Sequence, residues 1–251
     1  MKCHFIIQAR MGSTRLPQKI LLPFYNGKSI LELLIEKLSQ IENTEIVIAT
    51  SKGEENDVLK NFAKQHGVIC YRGSENDVLQ RFIDAADAVG AEYIIRICSD
   101  NPFLELDSIR QLVAHIEKSD NTVDYISFDI DGTPSIKTHY GFWTEYVTLK
   151  ALKKVANLTD ESLYHEHVTN YIYVHPESFN INWIPGPECL LGNKNIRLTI
   201  DTPEDFENAR NIYGELCANN PYPTIQEIVT YLKDNPECYN SMIQQIKNNS
   251  K

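Results

Sequence analysis

No run of apolar residues in this sequence approaches the roughly 20 that a helix needs to cross a bilayer, so no helical membrane span is expected. Cysteine is sparse and scattered. Cys3, Cys70, Cys98, Cys189, Cys217 and Cys238 include no C-x-x-C pair, which speaks against a disulfide framework and against a zinc site. Positive charge is in deficit: 24 Lys and Arg against 34 Asp and Glu give a formal net charge of −10, which argues against a nucleic-acid-binding face. Internal repeats and low-complexity tracts are missing. So is a secretory pattern at the first residues, because the apolar run 3–7 leads straight to Arg10, and a cytoplasmic location is expected. What is present, 251 residues with 42% hydrophobic and 23% charged, suits a single domain with a sizeable core.

Short β-branched runs alternate with helical patterns through the first half. Strands are expected at 4–9 (HFIIQA), 45–50 (EIVIAT), 68–71 (VICY), 93–98 (YIIRIC) and 123–128 (VDYISF). Between them, helices are expected from a Ser29/Glu32 capping box, at 55–66 closed by Gly67, at 74–89 closed by Gly90, and at 107–118. That alternation implies βαβ units and a mostly parallel sheet with helices on both faces. From about residue 129 the rhythm breaks. A helix is expected at 144–156, and 130–190 reads as a substrate-side insertion. The sheet is expected to resume at 196–201 (IRLTID), followed by a helix capped by Thr202 with Pro203 in its first turn, and a helical tail from Thr224.

The stretch QARMGSTRLPQK (8–19) places Arg10, Arg15 and Lys19 around a Gly-Ser-Thr turn, directly after the first strand. No acidic residue lies between Lys2 and Glu32, so these cations have no local counter-ion. In an open parallel sheet the first βα loop is the usual phosphate site; Gly12 lets the backbone approach, and consecutive amides can cradle an anion. The loop is neither a P-loop, since Pro17 stands where the second glycine belongs, nor a G-x-G-x-x-G fingerprint. Asp100 follows the strand at 93–98 and Asp201 ends the run at 196–201, so both carboxylates are expected at the same sheet edge as the loop. Two carboxylates with a phosphate between them suit Mg²⁺.

With RGSENDVLQRF (72–82), RICSDNPFL (96–104), EHVTNYI (166–172) and LTIDTPEDF (198–206), the opening loop resembles the SpsF-type cytidylyltransferases, a family implicated in bacterial surface polysaccharide synthesis and related to the CMP-Kdo and CMP-sialic acid synthetases. The resemblance implies a nucleotide-diphospho-sugar transferase (Rossmann-like) fold and transfer of CMP from CTP, with pyrophosphate leaving. It implies that Arg10, Gly12, Ser13, Arg15 and Lys19 hold the triphosphate, with Gln8 and Ala9 at the head of the loop, and that Asp100 and Asp201 bind Mg²⁺. Arg10, Arg15, Lys19 and Asp100 are the expected catalytic set. Arg72, Gly73 and Ser74 are expected near the base, with Ala49 and Thr50 as neighbours by position. The family usually has glycine where Gln18 stands.

His165-Glu166-His167 lacks the H-E-x-x-H spacing of a zinc site. The resemblance points instead to acceptor-side or structural roles for Glu166 and His167, with His139, Tyr140 and Glu145 as further acceptor-side candidates. Trp143 stands where the family often has an acidic residue, which leaves the acceptor open. No side chain stands out as a general base, so metal-assisted deprotonation of the acceptor is the default. The related synthetases dimerise through a region comparable to 130–190, so a homodimer is expected, with that lobe serving acceptor binding and dimerisation within a single domain 1–251. Partners are expected to be CTP and a small-molecule acceptor, without nucleic acid or membrane. Three alternatives stay open: another NTP, a phosphorylated non-sugar acceptor, or a non-catalytic nucleotide-binding regulator.

Overall fold

A computed structural model describes residues 2–119, 122–218 and 220–249. In chain order the first half runs β1 (Cys3–Gln8), β2 (Pro23–Tyr25), β3 (Lys28–Ser29), α1 (Ile30–Leu38), β4 (Thr44–Ser51), α2 (Asp57–Gln65), β5 (Ile69–Gly73), α3 (Val78–Val89), β6 (Tyr93–Cys98) and α4 (Leu106–Lys118). The second half adds β7 (Tyr125–Ile130), β8 (Thr133–Pro134), β9 (Glu145–Thr148), α5 (Leu149–Leu158), α6 (Ser162–Glu166), α7 (Asn170–Val174) and β10 (Ile181–Pro185). It ends with α8 (Pro203–Cys217), α9 (Ile225–Asp234) and α10 (Pro236–Asn249). Among the described residues no helix is long and apolar enough to cross a membrane.

The main sheet has the order β10-β7-β9-β6-β1-β4-β5, with β8 hanging on β7. Its pairs are parallel except where β9 runs antiparallel between β6 and β7, and where β8 pairs β7. Alternate residues of the central strands feed two cores. Phe5, Ile7, Ile48, Ile95 and Ile97 face α1, α4 and α8, while Ile6, Val47, Ala49 and Ile94 face α3 and α5. The near-continuous apolar strands are what burial on both faces requires. Register sets Gln8 beside Cys98 on one side and Ala49 on the other, so the carboxyl ends of β1, β4 and β6 form one level edge.

Local signals act as the sequence suggests at several ends. Ser29 and Glu32 complete a capping box on α1, Thr202 and Asp205 do the same for α8 with Pro203 in its first turn, and Gly90 ends α3 at φ +66°. Three expectations fail. Residues 144–156 do not form one helix: Glu145–Thr148 pair into the sheet, and it is the hydroxyl of Thr148 that caps α5 by accepting from the Ala151 N–H. α3 starts at Val78, because Ser74 accepts the Asp77 N–H and Asp77 caps the helix. Residues 196–201 form no strand and bend at Thr199. Their amides donate instead to carbonyls beyond any ladder, Leu198 and Thr199 to His139 and Ile200 to Asp100.

Candidate active site

The opening loop is closed on Met11. Its carbonyl accepts from the Ser13 and Gln18 amides at 3.0 and 3.2 Å, and its own N–H donates to Asn56 Oδ1 at 2.9 Å. Asn56 is buried and also donates to Ser51 Oγ, which ties the loop to the end of β4. Gln18 sits at φ +60°, the left-handed region where glycine is at home and other residues carry a cost. That accounts for glycine as the usual occupant. Gln18→Gly is therefore expected to raise stability by about 0.5–1 kcal/mol, the relief of left-handed strain less glycine's chain entropy. The midpoint of urea unfolding, at unchanged slope, measures it.

Opposite the loop, β6 ends in Cys98, and Ser99 donates to the Gln8 carbonyl at 2.6 Å. Asp100 follows. The buried ammonium of Lys37 on α1 donates to the carbonyls of Pro102 (3.2 Å) and Leu104 (2.6 Å), fixing the turn beyond it, and burial lowers its pKa to about 8. Asp201 arrives from the 196–201 stretch. Arg197, buried, donates to both oxygens of Asp205 (2.8 and 2.7 Å), to Asp201 Oδ2 at 3.1 Å and to His139 Nδ1 at 3.1 Å. Burial raises the pKa of Asp205, but the Arg197 guanidinium and the amides of Asp201 and Thr202 outweigh it and hold the carboxyl below the usual range. Burial, and then the adjacent Arg197, lowers that of His139, whose Nδ1 lone pair is taken by the guanidinium.

These segments enclose a cleft of about 280 Å³. Gln8, Arg10, Gly12 and Ser13 line one wall; Arg15, Lys19, Asp100 and Asp201 complete it. Lys19 Nζ lies 3.3 Å from Asp100 Oδ2 and 3.9 Å from Asp201 Oδ1, and it donates to the Ile200 carbonyl. Arg15 Nη2 lies 3.4 Å from Asp201 Oδ1. Two of the three loop cations, Arg15 and Lys19, thus take distant carboxylates as counter-ions. A Cβ added at Gly12 would meet nothing within 4 Å, so that glycine borders open space.

A second cleft, about 360 Å³, adjoins the first and shares Cys98, Asp100 and Asp201 with it. His139, Glu145 and His167 line it, as do Lys137, Asn101 and Thr199. Glu145 is not a free carboxylate there. It takes the Arg96 guanidinium at 2.5 Å, the Tyr125 hydroxyl and the Thr169 hydroxyl, and Arg96 Nη2 reaches Gln8 Oε1 at 2.9 Å.

Other expected residues stand elsewhere. Ala9, Ala49 and Thr50 are buried behind the first cleft and do not line it. Arg72 faces away, held by the carbonyls of Ser51, Lys52 and Gly53 and by Asp57, and Gly73 gives passage to the Arg81 side chain, whose Cγ would lie 2.8 Å from an added Cβ. Ser74 is committed to the start of α3. Tyr140 is core, stacked on Phe142, and Glu166 is exposed on α6, next to His167, and lines neither cleft. Arg96, Asn101, Arg197 and Thr199 were not singled out by the sequence. The one available signal was a lone arginine in each of two apolar runs, 93–98 and 196–201.

A mostly parallel sheet whose carboxyl edge carries a cationic loop facing two aspartates defines a nucleotidyltransferase. The chain belongs to the cytidylyltransferase family, whose sequence pattern, described as Cytidylyltransferase, matches residues 4–228. It is 34% identical over 241 residues to the spore coat polysaccharide biosynthesis protein SpsF of Bacillus subtilis, covering 93% of this chain and 95% of that one. Among solved structures it is similar to a cytidylyltransferase from Leptospira borgpetersenii, with TM-score 0.81, 27% identity and coverage of 95% and 97%. It shares its fold with a CMP:2-keto-3-deoxy-manno-octonic acid synthetase solved with CTP, with TM-score 0.62, 16% identity and coverage of 84% and 98%.

Proposed function

We propose that this chain is a Mg²⁺-dependent cytidylyltransferase of the cytoplasm that moves CMP from CTP to an acidic sugar or related acceptor, releasing pyrophosphate, for surface polysaccharide or glycoconjugate synthesis. One observation carries the reading: two clefts meet at Asp100 and Asp201, one lined by the cationic loop and the other by Asn101, Thr199, His139 and His167 together with Lys137 and the paired Glu145. Joining a nucleotide to an acceptor needs both held against one reacting centre. The likeness to SpsF, named for polysaccharide biosynthesis, supports the pathway class.

The donor set fits a hard divalent cation. Asp100 and Asp201 offer carboxylate oxygens on either side of the Lys19 ammonium, and Mg²⁺ favours one or two carboxylates completed by substrate phosphate. An ion held by Asp100 and Asp201 would supply charge neutralisation at the phosphates and would lower the pKa of the acceptor hydroxyl. Arg10, Arg15 and Lys19 neutralise the triphosphate and then the departing pyrophosphate. The acceptor oxygen attacks the α-phosphorus as the bond to the β-phosphate oxygen breaks. His139 is not the base, since Arg197 occupies its Nδ1 lone pair and leaves the proton on Nε2. Leu158, Leu163 and Val174, exposed on α5, α6 and α7, support a homodimer contact on the 130–190 segment.

Pyrophosphate release from each of the four NTPs, with Mg²⁺ and a panel of acidic sugars, sugar phosphates and small phosphorylated acceptors, tests this. Release specific to CTP, and lost in Asp100→Ala, is the expected result. A rise in melting temperature with another nucleotide, and none with CTP, would overturn it.

A further inference from the structure

Two residues that line the second cleft each hold a buried polar atom with no hydrogen-bond partner among the described residues, Asn101 Oδ1 and Thr199 Oγ1. Asn101 is 7% exposed, and its Oδ1 is a carbonyl oxygen that can only accept. Buried polar atoms are nearly always paired, so an orphan on a residue that lines a cleft marks a place where a ligand can complete the set. Gly141 lies against both residues. At φ +69° it turns the chain so that an added Cβ would press on Leu198 C and Thr199 N at 3.3 Å and on Asn101 Oδ1 at 3.4 Å. The cradle is also rigid. The Leu198 and Thr199 amides are fixed to the His139 carbonyl, and the Ile200 amide to that of Asp100. At the mouth, the Lys137 ammonium is exposed, lying 5.1 Å from the centre of the Tyr173 ring.

We infer that Asn101 and Thr199, with Gly141 between them, select the acceptor by a hydrogen-bond donor, a hydroxyl or acylamino N–H, that a sugar acid places in this cradle while its carboxylate faces Lys137. This rests on the reading of the second cleft as the acceptor side. The cradle adjoins Asp100, one of the two aspartates shared by both clefts, so a donor seated there would fix the acceptor's orientation as well as its identity. A site built to pair a donor rejects the analogue that lacks it, because the site's own acceptor is then left unpaired.

The test uses the full chain, CTP and Mg²⁺, with 3-deoxy-manno-octulosonate and nonulosonate acids as probes, together with analogues lacking single hydroxyl or acylamino groups. Calorimetry of CTP binding and the melting temperature are recorded for wild type, Asn101→Ala, Thr199→Val and the conservative Thr199→Ser. The expected result is that wild type loses at least tenfold in acceptor kcat/KM for one particular analogue. Asn101→Ala and Thr199→Val should abolish that discrimination, Thr199→Ser should retain it, and CTP affinity should stay within twofold in all. If the parent acid reacts but wild type and variants treat every analogue alike, a water fills the cradle and this inference fails while the cytidylyl reading stands. CTP binding with no acid accepted overturns the acceptor class inferred here. Absence of CTP binding by wild type removes the cytidylyl reading, and this inference with it.

Discussion

Replacing Lys19 by alanine is expected to lower CMP transfer by about 10²–10³-fold, the range for losing one preorganised group that stabilises charge in the transition state. The side chain is mostly enclosed and contacts both carboxylates, so its removal acts twice. The leaving pyrophosphate loses a cation, and Asp100 and Asp201 lose the charge that separates them. Arginine is not expected to rescue the variant, because a planar guanidinium does not occupy an ammonium's place between two carboxylates and the Ile200 carbonyl. Single-turnover release of pyrophosphate measures the loss free of product dissociation. Asp100→Ala should cause a loss of similar order. Since both residues act on the same phosphates, the double variant should fall little below the worse single one. A fully multiplicative loss would mean that the two act on separate steps.

Residues that act close to their own strand end were legible in the sequence, and those brought in from far away were not. Gln8, Arg10, Lys19 and Asp100 follow strands that apolar runs reveal, and a parallel sheet puts such positions on one edge. Asp201 was placed on that edge through a strand that does not exist. Ile196, Leu198 and Ile200 alternate and are all buried, which is the period of a strand, but their stretch crosses the end of the sheet and bonds to turns. The aspartate arrives at the expected place by a different backbone route. β9 was hidden because four residues give too little alternation, and two threonines, at 144 and 148, compete as helix cap. The prolines and glycine around β10 likewise conceal an edge strand. Asn101 and Thr199 carry no local signal at all, and Arg197 only that of a lone arginine in an apolar run. Their significance lies in contacts between the 100–101, 139–141 and 196–201 segments, a property of the tertiary fold.

Glu145→Ala is expected to destabilise the protein by about 3–5 kcal/mol, the cost of leaving one member of a buried ion pair alone. Arg96 and Glu145 are 7% and 2% exposed, on neighbouring strands β6 and β9 in direct register. Alanine would strand the guanidinium with Gln8 Oε1 as its remaining side-chain partner, and would also unpair the Tyr125 and Thr169 hydroxyls. Against a total of about 5–15 kcal/mol, that loss should appear as a large fall in the urea midpoint. Glu145→Gln keeps the shape and loses the charge, so a cost of about 1–3 kcal/mol is expected. The double replacement Arg96→Met with Glu145→Leu should recover the part of the loss due to the stranded charge, since an apolar pair of similar volume needs no charge solvation, while the Tyr125 and Thr169 hydroxyls stay unpaired. It should not recover function. Arg96 holds Gln8, which lines the first cleft, so the refolded double variant is expected to bind CTP more weakly than wild type. Partly restored stability with unchanged CTP affinity would instead make the pair purely structural, a brace between β6 and β9 with no part in shaping the cleft.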